Sequence, residues 1–294
     1  MIDGRTAAEA ALLALAGAVV ALPVMRAALR LAPEVLQRTN VNGARVPVVL
    51  GAPLAVGGSV AVLATIIAAE SGWSDAASTR MGIAATVLIV IMWAAGTWDD
   101  ARGDERARGF KGHLGALRRG RVTGGLVKLL AGGAAGLVAG RVLTADITTI
   151  AEIAVMVALT ANLINLTDRA PGRAGKVALL LAAPLVIGGS QSWTVAAAGT
   201  IGALLVCMPA DLGARGMLGD AGANPMGSLI GLGLAASLDE PARLVAISLL
   251  VGLNLASERW SFSRLIASSP GLRALDMWGR SSPGARKARG DKTS

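Results

Sequence analysis

Nine apolar stretches occupy most of the chain, at residues 6–29, 46–69, 80–98, 122–141, 146–164, 174–188, 192–209, 224–238 and 241–257. A helix needs about 20 apolar residues to cross the hydrocarbon of a bilayer. Most of these stretches meet that length; the sixth and eighth are short. A soluble domain of 294 residues cannot bury so many long apolar runs. Hydrophobic residues make up 53% of the chain and charged residues 16%, with a mean hydropathy of +0.59. The expected fold is therefore all-α, a polytopic integral membrane helical bundle of nine transmembrane helices.

The formal net charge of +9 does not point to nucleic acid, because the basic residues alternate between loops as the positive-inside rule expects. One set of loops holds Arg30, Arg38 and Arg45, then Arg102 to Arg121, then Arg169, Arg173 and Lys176, then Arg215 and the basic C-terminal tail. The other set holds only Arg5, Arg80, Arg141 and Arg243. This places the N-terminus outside and the C-terminus in the cytoplasm, which nine spans satisfy. Trp73 and Trp193 fall at expected outer boundaries, and Trp98, Trp260 and Trp278 at inner ones, where interfacial belts favour tryptophan. The first stretch reads as a span and not as a signal peptide, because Asp3, Arg5 and Glu9 replace a positive leader and the apolar run is too long. With Cys207 alone, no disulfide within the chain forms.

Three organisational units follow: a transmembrane domain over 1–257, an amphipathic interfacial segment over 258–280, and a disordered basic tail over 281–294. Glycines recur inside the fourth span (Gly132, Gly133, Gly136, Gly140) and the eighth (Gly227, Gly231, Gly233), as close helix packing in lipid requires. No internal repeat is evident, which argues against a transporter built from inverted halves.

Against this background, three polar loops stand out on the cytoplasmic side. Asp99-Asp100 follows the third span. Two carboxylates about 4 Å apart repel by roughly 4 kcal/mol at an effective dielectric near 20, so a divalent cation, Lys or Arg should join them; taken alone, the pair reads as a solvated loop start. Asn162, Asn165 and Asp168 end the fifth span at spacings of three, which puts them on one helical face if the helix continues that far. Asparagine at membrane depth must find hydrogen bonds, so that face should look into a cavity; capping and inter-helix bonding are the plainer roles. Asp220, flanked by Gly219 and Gly222, precedes the eighth span. Glycine lets the backbone approach a ligand closely, and an acid there also suits the helix dipole. Lys128 lies a turn or two into the fourth span, where a cation either snorkels or faces an acidic cavity. Lys111, in the basic loop 102–121, is a further phosphate-binding candidate, while His113 reads as solvated. Glu152, within the fifth span, has no evident role.

At these loops the chain resembles the polyprenyl-phosphate N-acetylhexosamine-1-phosphate transferase superfamily, which includes the phospho-N-acetylmuramoyl-pentapeptide transferase. The likeness covers most of residues 38–237. Arg38-Thr39-Asn40 through Arg45-Val46-Pro47 resembles the first cytoplasmic loop, Asp99-Asp100 the Asp pair, Asn162 to Asp168 the Asn-x-x-Asn-Leu-x-Asp motif, and Gly219 to Gly222 the Gly-Asp-x-Gly motif. The resemblance implies a Mg²⁺-dependent phosphoglycosyltransferase of cell-envelope glycan synthesis, working at the cytoplasmic face of the plasma membrane. Its substrates would be a polyprenyl phosphate and a nucleotide-diphosphate sugar, and the expected assembly is a homodimer. By the same resemblance Asp220 would hold the metal, and Asp99 or Asp100 would orient or deprotonate the lipid phosphate. Asn165 and Asp168 would line the nucleotide side, supported by Asn162. Lys111, Lys128 and Arg45 would be substrate-binding.

The chain also departs from that pattern. It has no histidine after His113, where larger members carry a His-rich C-terminal loop, and no tenth span. Pro171 replaces the second Asp, three residues beyond Asp168, and Arg45 and Val48 replace the first-loop Lys and Thr. The departures motivate a second expectation, a non-catalytic relative that binds lipid or acts as a scaffold in cell-wall assembly.

Overall fold

The computed structural model describes residues 2–40, 43–70, 72, 75–102, 119–120 and 123–280. Lys111, His113, Trp73 and the tail 281–294 lie outside the described residues.

Long helices follow the apolar stretches in order: α1 (Gly4–Leu31), α2 (Gly51–Glu70), α3 (Ala76–Arg102), α4 (Gly124–Leu143), α5 (Ile147–Thr167), α6 (Arg173–Gly188), α7 (Gln191–Leu212), α8 (Gly219–Ser237) and α9 (Glu240–Ser257). Seven are long and apolar enough to cross a membrane; α6 and α8 are not among them. The chain is thus a multi-pass helical membrane protein. Several starts are fixed by side-chain caps, with Asp3, Thr123, Asp146, Ser190 and Asp239 each accepting a backbone N–H of the first turn, which satisfies donors a helix end leaves unpaired.

Burial explains why α8 is less hydrophobic than its neighbours. It is the central helix, packed against α5 and α3 and touched by α2, α6 and α7, and nearly all of it is buried. A helix walled by protein needs small residues to fit rather than apolar ones to face lipid. A Cβ at Gly231 would meet the Met156 carbonyl at 2.7 Å, and one at Gly227 the Ala161 Cα at 2.6 Å. Gly136 does the same for α4 against Ala154 of α5. By contrast α9 packs mainly on α5, and Leu250 is its one buried residue. Near the start of α9, Arg243 Nε bonds Glu152 of α5 at 2.5 Å with both side chains largely buried, which gives Glu152 a partner the sequence did not suggest.

Trp193 departs from its expected place in an interfacial belt. It is fully buried, its Nε1 donates to the Leu229 carbonyl at 2.7 Å, and its ring lies against Gly233. Trp260 and Trp278 are exposed. The segment after α9 forms two short helices, α10 (Phe262–Ser268) and α11 (Pro270–Met277), since Pro270 brings no N–H to continue the first and begins the second.

Between α1 and α2 a 3₁₀ turn (Glu34–Leu36) leads into an antiparallel hairpin, β1 (Gln37–Thr39) with β2 (Arg45–Pro47), in the register Arg38 opposite Val46. The hairpin docks on the loop before α8: Met217 N–H donates to the Pro47 carbonyl at 2.9 Å and Leu50 N–H to the Met217 carbonyl at 3.1 Å. The first loop is therefore carried to the end of the bundle where α3 ends and α8 begins.

Candidate active site

Asp99 and Asp100 are neighbours on the last turn of α3, about 100° apart around the axis, and they face different partners. Asp99 Oδ2 lies 2.9 Å from Lys128 Nζ, and the same ammonium lies 2.5 Å from Asp220 Oδ2. All three side chains are more than four-fifths buried. Asp100 turns to the start of α8 and accepts the backbone N–H of Asp220 at 3.2 Å and of Ala221 at 2.9 Å. The free N–H groups and positive dipole end of a helix are a natural seat for a carboxylate. Arg38 of β1 donates to the Asp100 backbone carbonyl, tying the first loop to the end of α3. At the end of α3 the Arg102 guanidinium stacks on Trp98, 4.4 Å from the ring centroid.

Glycine makes this approach feasible at two positions. Gly219 has φ +61° and its missing Cβ would strike Val48 Cγ1, so a side chain there is disfavoured by both conformation and space. A Cβ at Gly124, the first residue of α4, would fall on Asp99 Oδ1.

Asp168 caps the end of α5. It lies near Asp211, Asp220 and Asp100, close enough for their charges to act on it, and within hydrogen-bonding reach of the Gly219 N–H. The structure therefore gathers Asp99, Asp100, Asp168, Asp220 and Lys128 at one end of the bundle. Asn165 is half-buried on the last turn of α5, with its carbonyl accepting the Asp168 N–H. Asn162 is turned elsewhere: its Nδ2 donates to Asn254 Oδ1 of α9 at 2.6 Å. Steps of three on a 3.6-residue helix drift by about 60° each, so Asn162 ends far around the helix from Asp168. Arg45 pairs with Glu34 at 2.7 Å on the exposed surface rather than with the acidic group.

Two sets of residues here were not singled out from sequence. Asp211, at the end of α7, is 2% exposed and lines a cavity together with Asp168; an ionisable residue ending an apolar span was the available signal. The other set clamps the C-terminal segment. Arg173 grips Asp276 of α11 through Nε at 2.8 Å and Nη2 at 2.9 Å, and its Nη1 reaches Ser263 Oγ at 2.8 Å. Arg280 pairs with Asp276 and donates to the Pro171 carbonyl at 2.9 Å. Burial works against ionisation of Asp276, but the hydrogen bonds and charge of Arg173, with Arg280 and Lys176, outweigh it and hold its carboxyl below the ordinary 3.8. Asp276 is the one acid between Glu258 and Asp291 in a basic segment, which was its sequence signal.

Compared with protein-family models and with curated proteins, the chain matches none.

Chemically, two carboxylate oxygens from different helices converge on one cationic point, now held by the Lys128 ammonium. Among the described residues no group of three or more His, Cys, Asp or Glu side chains forms a full metal cage. An oxygen-only pair of carboxylates that leaves the other positions to water and phosphate is nevertheless the usual setting of Mg²⁺, so Asp99 and Asp220 fit that ion if Lys128 moves aside.

Proposed function

We propose that this protein transfers a sugar-1-phosphate, of the N-acetylhexosamine type, from a nucleotide-diphosphate sugar to a polyprenyl phosphate at the cytoplasmic face of the plasma membrane. The observation that carries the reading is the convergence of Asp99 and Asp220 on the Lys128 ammonium, with Asp100 and Asp168 beside them. The motif order of the sequence supports it, as does the basic-loop asymmetry, which by the positive-inside rule favours the cytoplasm for this end.

In this reaction an oxygen of the lipid phosphate forms a bond to the donor's β-phosphorus. The bond from that phosphorus to the oxygen bridging the two phosphates breaks, and a nucleoside monophosphate leaves. Alignment and charge neutralisation supply most of the catalysis for such a transfer. Bound Mg²⁺, held by Asp220, would offset the negative charge of the donor diphosphate. Lys128 then turns its ammonium to phosphate oxygens. Asp100, fixed by the α8 N–H groups, stays with its partner Asp99 at the lipid side, where one of the two orients the acceptor phosphate or takes its proton. Asp168 and Asn165 line the nucleotide side, and Lys111 adds positive charge from the basic loop. A homodimer is the assembly proposed with this reading.

The same ion triad favours one other reading. Lys128 already neutralises both carboxylates without any metal, as a structural tie would, and Pro171 stands where the superfamily pattern has an acid. On that reading the protein is a non-catalytic relative that binds lipid or scaffolds cell-wall assembly.

An exchange assay separates the two. Purified protein in detergent is given undecaprenyl phosphate, Mg²⁺ and a panel of radiolabelled nucleotide sugars, with Asp100→Asn as control. Label entering the lipid phase, and lost in the control, establishes the transferase. No transfer from any donor by folded, lipid-bound protein favours the non-catalytic relative.

A further inference from the structure

Beside the Lys128 triad lies a small cavity of about 20 Å³, room for about one water-sized occupant. Its lining joins four parts of the chain: Asn40 beyond β1, Asp168 and Pro171 in the loop before α6, Asp211 at the end of α7, and Met217 ahead of α8. Asp211 is almost wholly buried there. The Gly172 N–H serves its carboxylate, but Oδ2 has no hydrogen-bond partner. A buried carboxylate oxygen without a partner is costly and is rarely left so. Asp168 brings a second negative charge to the same cavity.

The nearby cations do not close this gap. Arg280 is spent on Asp276 and the Pro171 carbonyl. Lys176 donates to the carbonyls of Leu275, Asp276 and Trp278 at 3.0, 2.6 and 3.0 Å. Arg169 lines the cavity but is exposed to solvent. The lining contains no histidine or cysteine; the Asp168 and Asp211 carboxylates suit a hard ion that keeps some of its own water, and the Met217 thioether is too soft to compete for it.

We propose that Asp168 and Asp211 bind a divalent cation of the Mg²⁺ class in this cavity, separate from the position between Asp99 and Asp220. Such an ion fastens the end of α5 to the end of α7, beside the first-loop hairpin. It does not depend on the transferase reading, because it needs neither donor nor lipid.

The test is a Mn²⁺ titration of the full chain in detergent after stripping with EDTA, with free Mn²⁺ read by electron paramagnetic resonance. The wild type is expected to bind an equivalent of Mn²⁺ that Asp220→Asn keeps and that Asp211→Asn binds about tenfold or more weakly. Gel filtration and metal-free thermal unfolding check that each variant is folded. If Asp211→Asn does not fold, Asp168→Asn replaces it in the same titration with the same expectation. Wild-type protein that binds no Mn²⁺ overturns the proposal. So does an equivalent lost in Asp220→Asn but unchanged when Asp211 or Asp168 is substituted. Transfer is read in its own assay, so loss of this site with transfer intact, or the reverse, tells the two ideas apart.

Discussion

The Asp100 carboxylate accepts the backbone N–H of Ala221 at 2.9 Å, which fastens the last turn of α3 to the first turn of α8. The contact brings Asp99 and Asp220 to one side of it, where Lys128 spans both. Two helices that end in acids meet here because one acid uses the other helix's N-terminal N–H groups and a lysine neutralises the rest.

Replacing Lys128 with Met removes the cation from a mostly buried carboxylate pair. Breaking such a pair from one side costs about 3–5 kcal/mol. Thermal unfolding in detergent is expected to show a clear loss in EDTA and recovery with millimolar Mg²⁺. Equal loss with and without Mg²⁺ would remove the pair as a metal position.

Asp220→Ala is expected to abolish Mg²⁺-dependent transfer, by at least the roughly 10²–10³-fold that loss of one electrostatic stabiliser costs. Helical content by circular dichroism is expected to stay near wild type. Normal turnover in this variant would take Asp220 out of the site.

Gly219→Ala forces a side chain into φ +61° and onto Val48. A strained backbone of this kind costs about 1–3 kcal/mol, so a lower unfolding temperature is expected. Gly133→Ala serves as the control, since a Cβ there meets nothing within 4 Å. A drop of the same size in both would show that the loop before α8 is not held as described.

The C-terminal clamp should open in acid. The Asp276 carboxyl is held below 3.8 when folded, so its contribution is complete above that value and is lost as pH falls through the lower folded one. Hydrogen exchange of residues 270–280 is expected to be slow at neutral pH and to speed up only below pH 3.8. Arg173→Ala is expected to show fast exchange at neutral pH as well.

Local properties of the sequence were enough for the helices. Length, hydropathy and caps such as Asp146 and Ser190 act within one segment, and the helices fall where the apolar runs lie. The small-residue stretches also foretold close packing at Gly136, Gly227 and Gly231. The polar face expected of Asn162, Asn165 and Asp168 was only partly legible, because a spacing of three drifts around a helix and Asn162 turns to Asn254. Trp193 misled for a related reason: its position near a span end is local, whereas its burial depends on Gly233 of another helix.

By itself, then, the sequence determined an all-α membrane chain and the order of its helices, because burying apolar side chains in lipid is additive along the chain; the acids expected on loops lie instead within helix ends, Asp99 and Asp100 on the last turn of α3 and Asp220 on the first turn of α8. Only the tertiary structure decided which charges meet. Lys128 reaches Asp220 across 92 residues, Arg173 reaches Asp276 across 103, and Asp211 comes to share a cavity with Asp168. Those pairings depend on how close one element's end comes to another's, which is a property of packing and not of any one segment.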